Sequence, residues 1–353
     1  MSKPREFTLP TNIYTVGAAG TWKIRQCCSL SIQSKGESPV SAVQAINSTH
    51  NSLEEYSLAL NVLGWEADFR QLDLGGGVSK LQVAASDGAA VLRVDFTNRV
   101  HQRAIPVKGR TTFGILAREQ SPATIGSRVL HSESLVLMDP YHGLDAVVEQ
   151  GFAAYTVAVS DDRLRELAEL HELPDPTTVS AMPGSERVPD PRQLTAIRLT
   201  LQNILHQAAA GGGPEPTRQL MESELPGMLL RNWFGASGHI SPTLSNRARV
   251  LRRALEYLEA FPREALTVER LCRHSAASMS TLERAFKDRF GVSPKRYLLL
   301  SRLSGVRRAL LNDDSDLSVT GAANAWGFWH MGKFAADYRR VYAELPSQTL
   351  RKS

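Results

Sequence analysis

The side chains best suited to chemistry in this chain are cationic and lie near its C-terminal end. Over Ser280–Phe290, Leu282, Phe286 and Phe290 recur at i, i+4 and i+8, so they share the core-facing side of a helix. That leaves Thr281, Arg284, Lys287 and Asp288 facing outward. An arginine so presented can donate two hydrogen bonds to O6 and N7 of guanine in a major groove. Arg284 is therefore either a base reader or a solvated helix arginine. Lys287, Lys295, Arg296, Arg302 and Arg307 suit phosphate contact or plain surface solubility. Further along, Phe334, Tyr338 and Tyr342 repeat the inward spacing, leaving His330, Lys333, Ala336 and Asp337 outward. Arg339 and Arg340 follow where phosphates would be met. His330 reads equally as a cap, a packing residue or a base reader. Trp326, Phe328 and Trp329 read as core and turn packing rather than base stacking. With Lys333 as its one obvious DNA-seeking side chain, this second face is expected to discriminate sequence less than the first.

Catalytic chemistry finds less support. A cupin-type metal site usually needs two close histidines on one strand, a carboxylate and a third histidine. The β-rich region has His101, His131 and His142, widely spaced and without an HxH pair. There is no P-loop, GxSxG or paired-carboxylate motif. Cys27 and Cys28 are adjacent, Cys272 is distant, and no CxxC pair suggests zinc or a disulfide framework. No catalytic residue, metal or cofactor is expected, and a metalloenzyme with a basic tail is the remote alternative.

The two cationic faces need elements to hold them. Val319–Leu350 reads as a short helix (Val319–Trp326), a turn at Gly327, a second helix from about His330 to Tyr342, and a stop at Pro346. A glycine between two amphipathic helices lets the backbone reverse at φ > 0, the arrangement of a helix-turn-helix. An earlier copy pairs Leu266–His274 with Ser280–Phe290 across SAASMS. Its second helix can be capped by Ser278 or Ser280, and Ser280 with Glu283 makes a capping box. Arg247–Phe261 precedes it as an amphipathic helix. Pro294–Leu311 joins the two units as a basic helix with Tyr297, Leu300, Leu303, Val306 and Leu310 inward, and Asn312–Asp316 is a polar break. No strand fits this region.

Charge divides the chain in the same place. The formal net charge is +5, but residues 245–353 are strongly basic and the rest is mildly acidic, as in a polyanion-binding module attached to something else. At 353 residues, with 42% hydrophobic and 22% charged, two or three ordered domains are expected rather than disorder. No apolar run approaches the roughly 18 residues of a membrane span. The first residues, MSKPREFTLPTNIYTV, lack an apolar signal core, so a cytoplasmic protein without membrane partners is expected.

Residues 1–40 form an unassigned arm. Thr49–Leu63 reads as a helix, after which the period changes to two: Ala90, Leu92, Val94 and Phe96 alternate with Val91, Arg93, Asp95 and Thr97. Short runs at Leu81–Ala85, Thr111–Leu116, Ser134–Met138 and Phe152–Ser160, separated by turn signals, predict an all-β sandwich or barrel over 41–172. Asp161–His171 reads as a helix. Within 173–243, a Pro/Ser-rich loop precedes a helix at Gln193–Ala209 and a helical run at Leu220–Trp233 that Pro226–Gly227 should break or kink. These apolar stripes read as core, with dimerisation as the minority alternative, and Gly235–Pro242 as an interdomain linker. By residue type Trp65, Arg93, Arg103 and Phe113 could line a ligand pocket, but Arg93 alternates outward, so no pocket is assigned.

Leu271–Leu298, Ala325–Phe328 (AWGF) and Tyr338–Ser347 (YRRVYAELPS) keep the spacing of a known domain. Residues 244–353 resemble the DNA-binding domain of the AraC/XylS family of bacterial transcription regulators. The resemblance implies two recognition helices in successive major-groove segments, read by Ser280, Thr281, Glu283 and Arg284 in the first and by Gly332, Lys333 and Ala336 in the second. Gly332 and Ala336 replace the longer polar side chains common in that family, so direct readout by the second helix is expected to be the weaker. The front part resembles the family's effector domain, a cupin-like β-barrel with helices, giving an α+β multidomain protein whose C-terminal domain is all α. The implied function is a small-molecule-responsive activator that binds double-stranded DNA and meets RNA polymerase, with homodimerisation open. A weaker similarity to regulators of ethanolamine-utilisation operons suggests ethanolamine or a cobalamin as effector. A sequence-neutral architectural DNA binder is the competing reading.

Overall fold

The computed structural model of the chain describes residues 43–351 except 118–121, 127, 178–184, 212–213, 237–238, 241–245, 265 and 312–316. It also describes three short N-terminal strands, β1 (Tyr14–Val16), β2 (Trp22–Ile24) and β3 (Ser31–Ile32). The polar break at Asn312–Asp316 lies outside the described residues, as does most of the arm expected over 1–40.

The front part opens with β4 (Gln44–His50) and α1 (Leu53–Val62), so the helix expected from Thr49 gives up its first residues to a strand. Ser52 starts α1 by accepting the Glu55 N–H. Strands β5 (Glu66–Gln71), β6 (Ser79–Ala85), β7 (Ala89–Phe96), β8 (Val100–Ile105), β9 (Arg110–Leu116), β10 (Ala123–Ile125), β11 (Arg128–Val129), β12 (Leu135–Leu137), β13 (Leu144–Val148) and β14 (Phe152–Ser160) follow. Then come α2 (Asp161–Leu170), β15 (Ser185–Arg187), α3 (Pro191–Ala209), α4 (Pro214–Gln219), a π-helical turn (Leu220–Glu224), α5 (Leu225–Gly235) and β16 (His239–Ile240). A nine-stranded sheet runs β16-β15-β12-β9-β14-β7-β6-β4-β3 and a five-stranded sheet β11-β10-β13-β8-β5. Pairing within the five-stranded sheet is antiparallel throughout.

The two sheets enclose one core, with Leu81, Leu92, Phe96, Val136 and Phe152 meeting Phe69 and Val148, and Tyr56 of α1 closing it. A second core covers the other face of the nine-stranded sheet, where Val91, Phe113, Tyr155 and Val157 pack on Leu167, Leu194, Leu201, Leu229 and Trp233. The apolar stripes of α3 and α5 are therefore core. This double cover explains why Val91 and Leu92 are both buried, against the one-sided strand that alternation implied. Pro226 does not break its helix: it stands at the start of α5, just past the π-helical turn, where its missing N–H is absorbed. His239–Ile240 of the expected linker pairs with Glu186–Arg187 as the sheet's edge.

The C-terminal part comprises α6 (Asn246–Ala260), α7 (Val268–Ser275), α8 (Met279–Phe290), α9 (Pro294–Leu311), α10 (Val319–Ala325), α11 (Met331–Tyr342) and α12 (Pro346–Leu350). One continuous core runs beneath both helix-turn-helices, from Leu271, Leu282 and Phe286 through Tyr297, Leu303 and Leu310 to Phe334 and Tyr338. The α10–α11 turn uses Gly327 at φ +75°, as expected, but the α7–α8 turn uses Ala276 at φ +50°, a left-handed alanine that no glycine signal marks. Gly305 in α9 is required because the Trp326 ring occupies the place a Cβ would take. Pro346 starts α12 rather than simply ending the chain's order. Among the described residues no helix is long and apolar enough to cross a membrane.

Candidate nucleic-acid interface

In the first unit Ser278, not Ser280, caps α8: its Oγ accepts the Thr281 N–H at 3.2 Å. The Ser280–Glu283 capping box is not formed, because Ser280 already lies inside the helix. Ser280, Glu283, Arg284 and Lys287 are exposed, and Thr281 is half-buried with its hydroxyl 2.9 Å from that of Ser278. In the second unit His330 is the N-cap residue but makes no capping bond. His330, Gly332, Lys333, Ala336, Arg339 and Arg340 are all exposed. Thus every position expected to face DNA from the two helices that follow the turns lies in or beside α8 or α11, and each is open except Thr281.

Three expectations fail here. Trp329 does not pack in the turn: it is 72% exposed, while Trp326 and Phe328 do pack on the core. Arg307 is no phosphate contact. It is 2% exposed, with Nε 3.3 Å from Glu54 and Nη2 2.8 Å from Glu344. Arg302 lies over the Phe328 ring at 5.1 Å and is half-buried, which pushes its pKa down.

Sequence reasoning missed the contact between the two parts of the chain. Arg289, near the C-terminal end of α8, donates to the carbonyl oxygens of Thr124 (2.6 Å) and Asp145 (2.9 Å) and to Asp145 Oδ1 (2.6 Å). Arg99 donates to the Phe290 carbonyl and Arg103 to Glu259. The C-terminal end of α11 is held as well, since Gln71 donates to the Val341 carbonyl at 3.0 Å and the Gly75 N–H to that of Arg340 at 3.1 Å. Ser304 and Arg308 of α9 reach Glu54 (2.8 Å) and Asp68 (2.9 Å). Both outward helices are thus anchored by their far ends to the same front surface.

At its centre is a relay. Arg70 donates to the Tyr297 hydroxyl, which lies 2.9 Å from His101 Nδ1, while His101 Nε2 lies 3.2 Å from Asp145. Burial pushes the Tyr297 phenol up to about 12, so it keeps its proton. Donor–acceptor pairing then assigns that proton to His101 Nδ1 and the imidazole proton to Nε2, donated to Asp145. Burial, helped by Arg70 and Arg289, holds the His101 pKa below the ordinary value despite Asp145. Burial likewise lowers His50 to about 4. Below the ordinary histidine value of about 6.5 the unfolded chain takes up protons that the folded one refuses. Stability should therefore fall as the pH drops below that value. Thermal melts across this range test it, and His101→Gln should shrink the slope.

The same sheet faces a cavity. Along β8 and β13 the side chains alternate, with Gln102, Ala104, Leu144 and Ala146 lining an internal space of about 80 Å³. His101, Arg103 and Asp145 point the opposite way, to the C-terminal part. Of the pocket residues considered by type, Trp65 lines this cavity. Arg93 pairs with Asp95 and the Tyr155 hydroxyl, Phe113 packs edge-on against Trp233, and Arg103 binds Glu259. No group of three metal-ligating side chains occurs among the described residues.

Residues 271–352 match a family described as a helix-turn-helix domain. The chain is 36% identical over 103 residues to the "Probable thc operon regulatory protein" of Rhodococcus erythropolis, covering 29% of this chain and 31% of that one. It is 32% identical over 111 residues to the "XylDLEGF operon transcriptional activator 3" of Pseudomonas putida, covering 31% and 34%. The match thus spans about a third of these relatives' length. A solved structure of a "probable AraC family transcriptional regulator" from Rhodopseudomonas palustris is 33% identical over 29% of this chain and 95% of its own, with a TM-score of 0.28. The C-terminal region, over residues 271–352, is a helix-turn-helix domain of the AraC/XylS type.

Proposed function

We propose that this protein is a cytoplasmic, sequence-specific DNA-binding transcription regulator, an activator responsive to a small molecule. The observation that carries the reading is the pair of helix-turn-helices on one continuous core, with the outward faces of α8 and α11 both open. Arg284 would read a base in the first groove segment, and Lys287, Lys333, Arg339 and Arg340 would meet phosphates. The flat face made by Gly332 and Ala336 favours close approach over side-chain readout in the second. Double-stranded DNA and RNA polymerase are the implied partners.

The response to a small molecule is supported by the five-stranded sheet, a single layer between the cavity and the surface that holds Arg289 and Tyr297. Ethanolamine suits this cavity poorly, since its ammonium would meet no carboxylate among the described residues there, and a cobalamin far exceeds about 80 Å³.

Selection of genomic fragments by the purified protein at physiological salt tests the reading. A recurrent motif of two elements about one helical turn apart is expected. Arg284→Ala should cost about 1–3 kcal/mol at one base pair and relax the preference there. A uniform loss over all sequences would assign Arg284 to phosphate. Retention of fragments without any motif would instead support the architectural reading.

A further inference from the structure

We propose that the cavity between the two sheets takes a small uncharged ligand, largely apolar, whose one hydrogen-bond acceptor receives the hydroxyl of Tyr56. The inference rests on the effector-responsive reading and gives that effector its chemistry.

Among the described residues no Asp, Glu, Lys, Arg or His side chain lines the cavity. An ion entering it would lose its hydration with no counter-charge to replace it, so acids and amines are disfavoured. The walls are Leu, Val, Ile, Ala and aromatic residues with Met138 and Gly114, and the Gln102 amide and the Thr156 hydroxyl are polar points. Such a lining, apolar with a few fixed polar groups, orients a ligand by one or two hydrogen bonds and holds it by burial. At about 80 Å³ the space is smaller than the roughly 150 Å³ cavity that accepts benzene. The occupant is a small ring or a short chain.

Tyr56 supplies the specific contact. It is fully buried and lines the cavity, and its hydroxyl has no hydrogen-bond partner among the described residues. Burial raises its pKa well above the ordinary value, so it is a donor at any physiological pH. A buried hydroxyl left unsatisfied is costly, and phenylalanine would fill the same space without that cost. A carbonyl or hydroxyl oxygen on the ligand would satisfy it. Tyr56 shares α1 with Glu54, which holds Ser304 and Arg307 of the C-terminal part. A ligand bonded to Tyr56 therefore acts on the helix that grips the DNA-binding domain.

The test uses the full chain and four probes of similar size: cyclopentanone, cyclopentane, cyclopentylammonium and cyclobutanecarboxylate, with affinities from ligand-observed NMR. Cyclopentanone should bind most tightly. Tyr56→Phe should weaken it roughly 2- to 12-fold and leave cyclopentane unchanged, and Gln102→Leu should retain cyclopentane. Because Tyr56→Phe removes only the unsatisfied group, it should fold as the parent does, which thermal melting checks. Tighter binding of either charged probe overturns the proposal, as does cyclopentanone affinity indifferent to Tyr56→Phe, or no binding by any probe. None of these outcomes touches the regulator reading, which stands or falls on the motif in the fragment selection.

Discussion

Glu54→Leu should destabilise the docked C-terminal part by up to about 3–5 kcal/mol, because it leaves the buried Arg307 guanidinium with one of its two carboxylates. Arg307 is 2% exposed and its cationic neighbours offer no relief; Glu344 alone would remain to pair it. Burial pushes the Glu54 carboxyl up, against the pull of Arg307 and the Ser304 hydrogen bond. The pair therefore contributes little net stability, and each partner chiefly prevents the other's desolvation from going uncompensated. Urea unfolding should show the C-terminal helices melting before the sheets in Glu54→Leu. Adding Arg307→Met should restore much of the loss, since an apolar pair of similar volume needs no compensation. If the single variant unfolds at the parental midpoint, the buried pair is not what couples α1 to α9. Under the proposed function, a folded variant with this contact weakened should bind DNA with reduced sensitivity to effector.

Phe286→Ala should cost about 3–5 kcal/mol and abolish DNA binding without removing any group that faces DNA. Phe286 is fully buried, 5.5 Å from the Phe290 ring and 5.3 Å from Tyr297, and Tyr297 carries the packing on to His101. A cavity at this place loosens α8 from α9 and removes the floor beneath Arg284. The contrast with Arg284→Ala is diagnostic: that variant should melt as the parent does and lose only base preference. Circular dichroism melts beside operator titrations separate the two. Parental stability in Phe286→Ala would mean that α8 owes its position to the Arg289 contacts instead.

Anchoring both α8 and α11 to one front surface also bears on how an effector could act. The groups that hold Arg289 and Tyr297 alternate along β8 and β13 with those that line the cavity. A ligand that shifted these strands would therefore move the groups that hold Arg289 of α8 and Tyr297 of α9. Packed interfaces of this kind switch between arrangements rather than deform gradually.

By itself the sequence determined the helix-turn-helix pair, its inward residues, its open cationic face and the β-rich character of the front part. Each is written in local periodicity: Leu282, Phe286 and Phe290 at helical spacing, Ala90, Leu92, Val94 and Phe96 at strand spacing. Tertiary structure alone decided which charges are free. Arg284 and Arg307 look alike in sequence, each on an amphipathic basic helix, yet one is solvated and the other is sealed between Glu54 and Glu344. Helical spacing reports which face of an element is apolar, and it does not report which distant carboxylate will be carried to that face. For the same reason the sequence places Trp329 in turn packing while the structure leaves it exposed, and it holds no local sign of the cavity at Tyr56, whose walls come from α1 and strands of both sheets. Such a site has no local spacing, because it exists only where separate segments of the chain meet.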